Sequence, residues 1–339
     1  MKVAPPELFA DPFREHSSII ARAPQALLGA RFIFESNSRH LLRLVDSAYA
    51  RLPTQRLPVG APTLRVRLIC TAPAVGHSRS APPLLETFSA AGLLGGATGA
   101  SSLVMVAPEA RSALVVVSPD MRRFAYHARY ELLEFAVYTL AARVMGLVSL
   151  HAACVGLGGR AALLMGPSGS GKSTLALQCL LQHFQFVSED STLVVPGAMR
   201  ALGVANYLHV RADSLKWVEQ ASDAAAVRAS PVIRRRSGVR KFEVDLRRGD
   251  HRLANAALDL RAIVFLSTQR AVRGRLLLPL SRRELLARLT ATQVYAAGQP
   301  HWAAFCRQAS RIGAFELRRG AHPRGAVERV RELLASRRR

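Results

Sequence analysis

The sequence predicts an α/β protein, and three observations carry that prediction. Apolar runs with period-two alternation recur, as in Leu64-Arg65-Val66-Arg67-Leu68-Ile69-Cys70. Other segments place Leu41, Leu42, Leu44, Val45 and Ala48 at helical spacing, giving one buried face. At residues 160–183 an apolar strand runs straight into a glycine-rich loop and then a helix.

The elements follow in chain order. Residues 29–35 read as a strand, 38–52 as an amphipathic helix and 64–70 as a half-buried strand. Pro, Ser, Gly and Ala fill much of 72–101, which reads as a loop. Residues 102–107 and 113–118 are two further strands. Together they predict a small α/β N-terminal domain over 1–125, with no constellation tied to chemistry. The second domain, 126–339, opens with a helix over 129–145. A strand over 148–155 and another over 160–165 are joined by Gly156-Leu157-Gly158-Gly159, which predicts a hairpin. A helix over 174–183 follows, then strands over 184–190 and 191–195. Residues 208–211 and 262–266 are apolar runs further on.

Composition sets limits. The 339 residues are half hydrophobic, enough for a sizeable core and unlike a disordered chain. Cys70, Cys154, Cys179 and Cys306 are scattered with no CxxC pair, which argues against a disulfide or zinc framework and fits a reducing cytoplasm. The start carries no continuous apolar stretch of the signal-peptide kind. The best membrane candidate, 132–150, is interrupted by Glu134 and Arg143 and reads as a buried helix. The net charge is +24, almost entirely from arginine. With few aromatics, no nucleic-acid motif and arginines spread along an Ala-rich chain, it reads as composition bias and not as a nucleic-acid surface. Lysine occurs only as Lys2, Lys172, Lys216 and Lys241, so a lysine inside a motif is informative.

The motif is Gly166-Pro167-Ser168-Gly169-Ser170-Gly171-Lys172-Ser173-Thr174. Glycines let the loop turn its N–H groups inward around phosphate oxygens, and the helix that follows adds its positive end. In such a loop the lysine ammonium reaches the β- and γ-phosphates, and the serine hydroxyl ligates Mg²⁺. Lys172 and Ser173 take those places, so a nucleoside triphosphate with magnesium is the expected ligand. Magnesium also needs a carboxylate, usually at the end of a neighbouring strand. Glu189-Asp190 closes the apolar run after the helix. Neighbouring strand residues point to opposite faces, so a bend there is needed for both acids to reach one site. One acid then holds metal while the other takes a proton from an attacking hydroxyl. Downstream, Arg240 or Lys241 on an alternating strand is a candidate contact for the transferred phosphoryl group, although the strand also reads as a solvated edge. Arg234-Arg235-Arg236 and the terminal Arg337-Arg338-Arg339 read as solvated runs, with guidance of an acidic peptide as the alternative for either.

Residues 148–195 resemble the catalytic core of HPr kinase/phosphorylase and its relatives: a His-containing strand, a hairpin, a glycine loop ending Gly-Lys-Ser, and a strand with two adjacent acids. The closer likeness is to stand-alone HPr kinase-related proteins, some of which phosphorylate a precursor peptide in natural-product pathways. The resemblance implies a P-loop kinase domain of the HPr kinase/PEP carboxykinase-like type, with ATP and Mg²⁺ as cofactors. It implies a protein or peptide hydroxyl as acceptor, and a homo-oligomer, since the family assembles as hexamers. It gives Lys172 to phosphate, Ser173 and Asp190 to the metal, Glu189 to the general-base position, and His151 to a place beside that base. Glu189 stands where the family has aspartate, and the signature for the reverse reaction is absent. A P-loop ATPase coupled to transport or assembly, or a non-catalytic nucleotide sensor, is the competing reading. An LSGGQ-like signature and an Asn-Lys-x-Asp guanine reader are both missing.

Overall fold

The computed structural model describes residues 18–71, 81–98 and 102–336. The readings for the chain start, for 72–80 and 99–101, and for Arg337-Arg338-Arg339 lie outside the described residues. The chain forms two compact units. One gathers the described residues of Met1–Gln25, Arg31–Ala50 and Pro62–Leu140, and the other those of Ala26–Ala30, Arg51–Ala61 and Ala141–Arg339. The architecture is mixed α/β.

In the first unit, the described strands are β1 (Ala21–Leu27), β2 (Ala30–Ser36), β3 (Thr63–Cys70), β4 (Glu86–Ala90), β5 (Leu93–Thr98), β6 (Ser102–Ala107) and β7 (Ser112–Val117). They form one sheet in the order β1-β2-β3-β7-β6-β5-β4. β2, β3 and β7 run parallel, and β7 to β4 form an antiparallel meander. Helix α1 (Arg39–Tyr49) buries Leu41, Leu44, Val45 and Ala48, as its spacing predicts. The region read as a loop holds the β4–β5 hairpin. Its strand signal is hidden because Gly95-Gly96 are poor strand formers. A side chain at Gly95 would meet the Phe88 ring at 2.5 Å, so the glycine there admits the aromatic of the paired strand.

Helix α2 (Glu134–Val144) leads into the second unit. Its described strands are β8 (Val148–Leu150), β9 (Ala153–Leu157), β10 (Arg160–Met165), β11 (Gln185–Ser188), β12 (Thr192–Val195), β13 (Arg200–Leu202), β14 (Tyr207–Val210), β15 (Val232–Arg234), β16 (Arg240–Asp245), β17 (Leu258–Arg270), β18 (Leu277–Pro279) and β19 (Gly313–Arg319). The main sheet runs β11-β9-β10-β17-β13-β12-β8, with β19 also on β17 and β18 beside it. β10 pairs parallel with β17 and antiparallel with β9. Alternate residues of these strands enter two separate cores. Ala153, Val155, Ala162, Leu164 and Val264 pack with α3 (Lys172–Leu181) and α7 (Pro323–Ala335). Cys154, Ala161, Leu163, Met165 and Phe265 pack with Leu285 and Leu289 of α5 (Arg282–Thr292) and Phe305 of α6 (Trp302–Ala309). Helices on both faces explain why these strands read as unbroken apolar runs. Each fully buried Leu or Phe stabilises the unit by about 1.5–3 kcal/mol.

Two differences from the sequence reading bear on the site. The expected strand 148–155 is broken at His151-Ala152 into β8 and β9, because the two halves pair with different neighbours, β12 and β10. The strand expected at a solvated edge, β16, is central to a separate three-stranded sheet ordered β14-β16-β15. The helix between β14 and β15, α4 (Ala221–Arg228), covers part of that sheet. Among the described residues, no helix is long and apolar enough to cross a membrane.

Candidate functional site

The loop 166–171 leaves the end of β10 and enters α3 at Lys172. Gly166, Gly169 and Gly171 all take positive φ, at 149°, 78° and 105°. At Gly166 a side chain is excluded twice, because a Cβ would meet the Leu266 carbonyl at 2.9 Å and Ser170 Oγ at 2.7 Å. The loop is therefore set by its glycines and by β17 beneath it. Lys172 is folded back over the turn, and its Nζ donates to the carbonyls of Gly166 at 2.6 Å and Pro167 at 3.2 Å. Burial pushes its pKa below the ordinary lysine value, although Asp190 and Glu189 oppose that.

The chain bends at Glu189-Asp190, and the bend sends the two acids to different partners. Ser173 Oγ donates to Glu189 Oε1 at 2.9 Å. Glu189 Oε2 accepts from the backbone N–H of His209 at 3.0 Å and is also in contact with His209 Nδ1. His209 Nε2 lies 3.1 Å from Glu243 Oε1, so one buried imidazole joins two carboxylates. Burial alone would lower the His209 pKa; the charge of Glu189 and hydrogen bonds to Glu189 and Glu243 outweigh it and raise it to about 9. Asp190 Oδ2 accepts from Arg235 Nη2 at 3.0 Å. Burial would raise the Asp190 pKa, but Arg235, His151, Lys241 and His209 together hold it below the ordinary value.

Beside these groups lies a cavity of about 300 Å³ whose walls include His151, Ser173, Asp190, Arg235 and Lys241. Loop residues Ser168, Gly169, Gly171, Lys172 and Thr174 form its floor. His151 is held there through its backbone. Its N–H donates to Gln293 Oε1 at 2.7 Å, and its carbonyl accepts from Gln293 Nε2 at 3.2 Å. Lys241 Nζ lies 3.9 Å from Glu189 Oε1. Arg240, its neighbour, is exposed, faces Arg234 across the β15–β16 pair and does not line the cavity. Of the two candidates on β16, the fold brings in the lysine, as alternation along a strand requires.

Sequence reasoning missed four residues. His209 and Glu243 sit opposite each other on β14 and β16, a pairing between distant segments. Alternation in Leu208-His209-Val210 marks His209 as facing the other way from two core residues, which was the available signal. Arg235 was read as solvated with its neighbours, yet its side chain is only 19% exposed and paired with Asp190. Gln293 gave no signal.

Oxygen donors fit a hard cation. Magnesium takes one or two carboxylates plus phosphate and water oxygens. The Ser173 hydroxyl with Glu189 beside it, and Asp190 on the cavity wall, form such a set. Among the described residues there is no cluster of three or more His, Cys, Asp or Glu side chains arranged to hold a metal.

No family model matches the chain, and no curated protein does. A solved structure similar to it is the HPr(Ser) kinase/phosphatase from Coxiella burnetii. It is 13% identical and has a TM-score of 0.30, the match covering 55% of this chain and 90% of that one. At that TM-score the likeness carries no weight, and the functional reading rests on the residues of the site.

Proposed function

We propose that the protein is an ATP- and Mg²⁺-dependent kinase that transfers the γ-phosphoryl group to a serine or similar hydroxyl of a protein or peptide. The observation that carries this is the cavity over loop 166–174. A lysine and a serine from the loop there meet Asp190, with Glu189 buried behind Ser173 and a histidine and a second lysine on the same walls. In this reading the loop's N–H groups and the N-terminus of α3 bind the phosphates. Lys172 leaves the two loop carbonyls and turns to the β- and γ-phosphates. Ser173 and Glu189 would hold a magnesium ion, which when bound would neutralise charge at the transferring group.

The two acids divide the remaining work. Both oxygens of Glu189 are engaged, by Ser173 and by His209, which suits an anchored carboxylate on the metal side. Asp190 lines the cavity, and its ion pair with Arg235 runs through Oδ2. The acceptor hydroxyl is placed to give its proton to the Asp190 carboxylate as the new P–O bond forms and ADP departs. This exchanges the two roles that the family resemblance implies. Lys241 and Arg235 sit where they stabilise charge on the phosphoryl oxygens.

The test uses γ-labelled ATP, magnesium and an array of serine-containing peptides. Label should enter peptides as an acid-stable phosphoester with wild-type protein and not with Lys172→Ala. Phosphate release at the same rate with and without peptides, and no labelled peptide, would favour a coupled ATPase and reject the kinase reading.

A further inference from the structure

A second cavity, of about 290 Å³, lies on the other side of the same loop. It shares Gly169, Gly171, Thr174, Asp213 and Ser214 with the first, so the loop and the 213–214 turn form a common wall. The two differ in chemistry. The described lining of the first cavity has no Trp, Tyr or Phe and carries Asp190, His151 and Lys241, which the second lacks. The second has Trp217 on its wall, with apolar Leu175, Leu317 and Pro323 around it. The His322 ring stands edge-on to the indole at 5.1 Å. Lys216, Arg318 and Arg319 are the cations of the lining, with Arg318 paired to Glu316 and Asp213 the acid among them. Lys216 Nζ is 5.0 Å from the indole centroid, and Arg319 Nη2 donates to the Gly169 carbonyl at 3.2 Å.

The position of Trp217 is fixed relative to the loop. It ends the short helical turn Ala212–Trp217, whose Leu215 is buried in the core. The buried Gln178 side chain donates to the Trp217 carbonyl at 2.9 Å. Gln178 belongs to α3, the helix that the loop opens. On the same lining, Ser170 is 5% exposed and its Oγ has no hydrogen-bond partner among the described residues. An aromatic wall with apolar neighbours and a set of cations beside a phosphate loop matches one ligand chemistry: a heteroaromatic base and sugar joined to phosphates.

We infer that this second cavity takes the nucleoside of the phosphoryl donor, with the base against Trp217. The phosphate chain then crosses the loop so that the γ-phosphate enters the first cavity. The inference rests on the kinase reading, because it supposes that the loop holds phosphates. It gives the donor and the acceptor opposite sides of residues 169–174, so both can be bound together.

Trp217 and Trp302 are the two tryptophans of the chain, which makes the test direct. In Trp302→Phe protein, emission from Trp217 is followed during titration with Mg·ATP and with Mg·tripolyphosphate. Calorimetry gives both affinities for wild type, Trp217→Ala and Trp217→Phe. ATP should change Trp217 emission strongly and bind wild type at least about tenfold tighter than tripolyphosphate. Trp217→Ala should lose about tenfold in ATP affinity and nothing in tripolyphosphate affinity, and Trp217→Phe should restore most of the loss. If tripolyphosphate binds wild type as tightly as ATP, and Trp217→Ala binds ATP unchanged, the nucleoside lies elsewhere and the inference falls while the loop reading stands. If tripolyphosphate does not bind wild type at all, the loop reading falls and takes the inference with it.

Discussion

Replacing His209 with alanine removes the side chain that joins Glu189 to Glu243. All three groups are sheltered, with side-chain exposures of 5%, 6% and 13% for His209, Glu189 and Glu243. The imidazolium is thus the local counter-charge of two buried carboxylates. Two estimates of its worth agree. Breaking a buried ion pair by removing one partner costs about 3–5 kcal/mol. The rise of the His209 pKa from 6.5 to about 9, at about 1.4 kcal/mol per pH unit, gives about 3 kcal/mol. The sign follows from the direction of the rise. A histidine whose folded pKa lies above its unfolded value contributes fully below pH 6.5, and the contribution is lost as pH climbs through about 9. The other charges facing it are Arg235 and Asp190, and Arg235 opposes protonation. Urea unfolding of wild type and His209→Ala at pH 6 and pH 9.5 measures the effect. The gap between variant and wild type should narrow by about 3 kcal/mol from pH 6 to pH 9.5. His209→Ala should also lower kcat more than it raises KM, because Glu189 keeps only the backbone N–H of residue 209 as its anchor on that side. A gap between variant and wild type that stays constant with pH would refute the reasoning.

Three further outcomes are expected. Lys172→Ala should abolish nucleotide binding measured by calorimetry and leave the unfolding midpoint within about 1 kcal/mol of wild type; retained binding would reject the loop's role. Asp190→Asn should lower turnover by about 10²–10⁴-fold while Mg·ATP still binds, and wild-type rates would move the proton acceptor elsewhere. Gln293→Ala strips partners from both backbone groups of His151 and should cost about 1–3 kcal/mol in thermal melting, whereas an unchanged melt would mean the 150–152 segment is held by other contacts.

The parts legible in the sequence are those written in consecutive residues. Strand, glycine loop and helix at 160–181 are local, and the positive φ angles of Gly166, Gly169 and Gly171 require the residue type found there. The bend at Glu189-Asp190 was readable because two acids at a strand end cannot share a face without one. What the sequence concealed is pairing across distance. Nothing near His209 indicates that Glu243, 34 positions on, comes to lie opposite it, or that Arg235 leaves an arginine run to meet Asp190. Those contacts depend on the register of β14, β16 and β15, and register between separated strands is not encoded in any one of them. The β4–β5 hairpin was hidden for a related reason: two glycines weaken the local signal, and the strand is held by its neighbours on both sides.

Hydrogen–deuterium exchange of the wild-type protein, with and without Mg·ATP, reads the amides of residues 168–174 directly. If those N–H groups close around phosphate oxygens, their exchange slows by at least about tenfold on nucleotide addition, and Lys172→Ala protein shows no such slowing. Bound nucleotide with unchanged exchange across 168–174 would contradict the account.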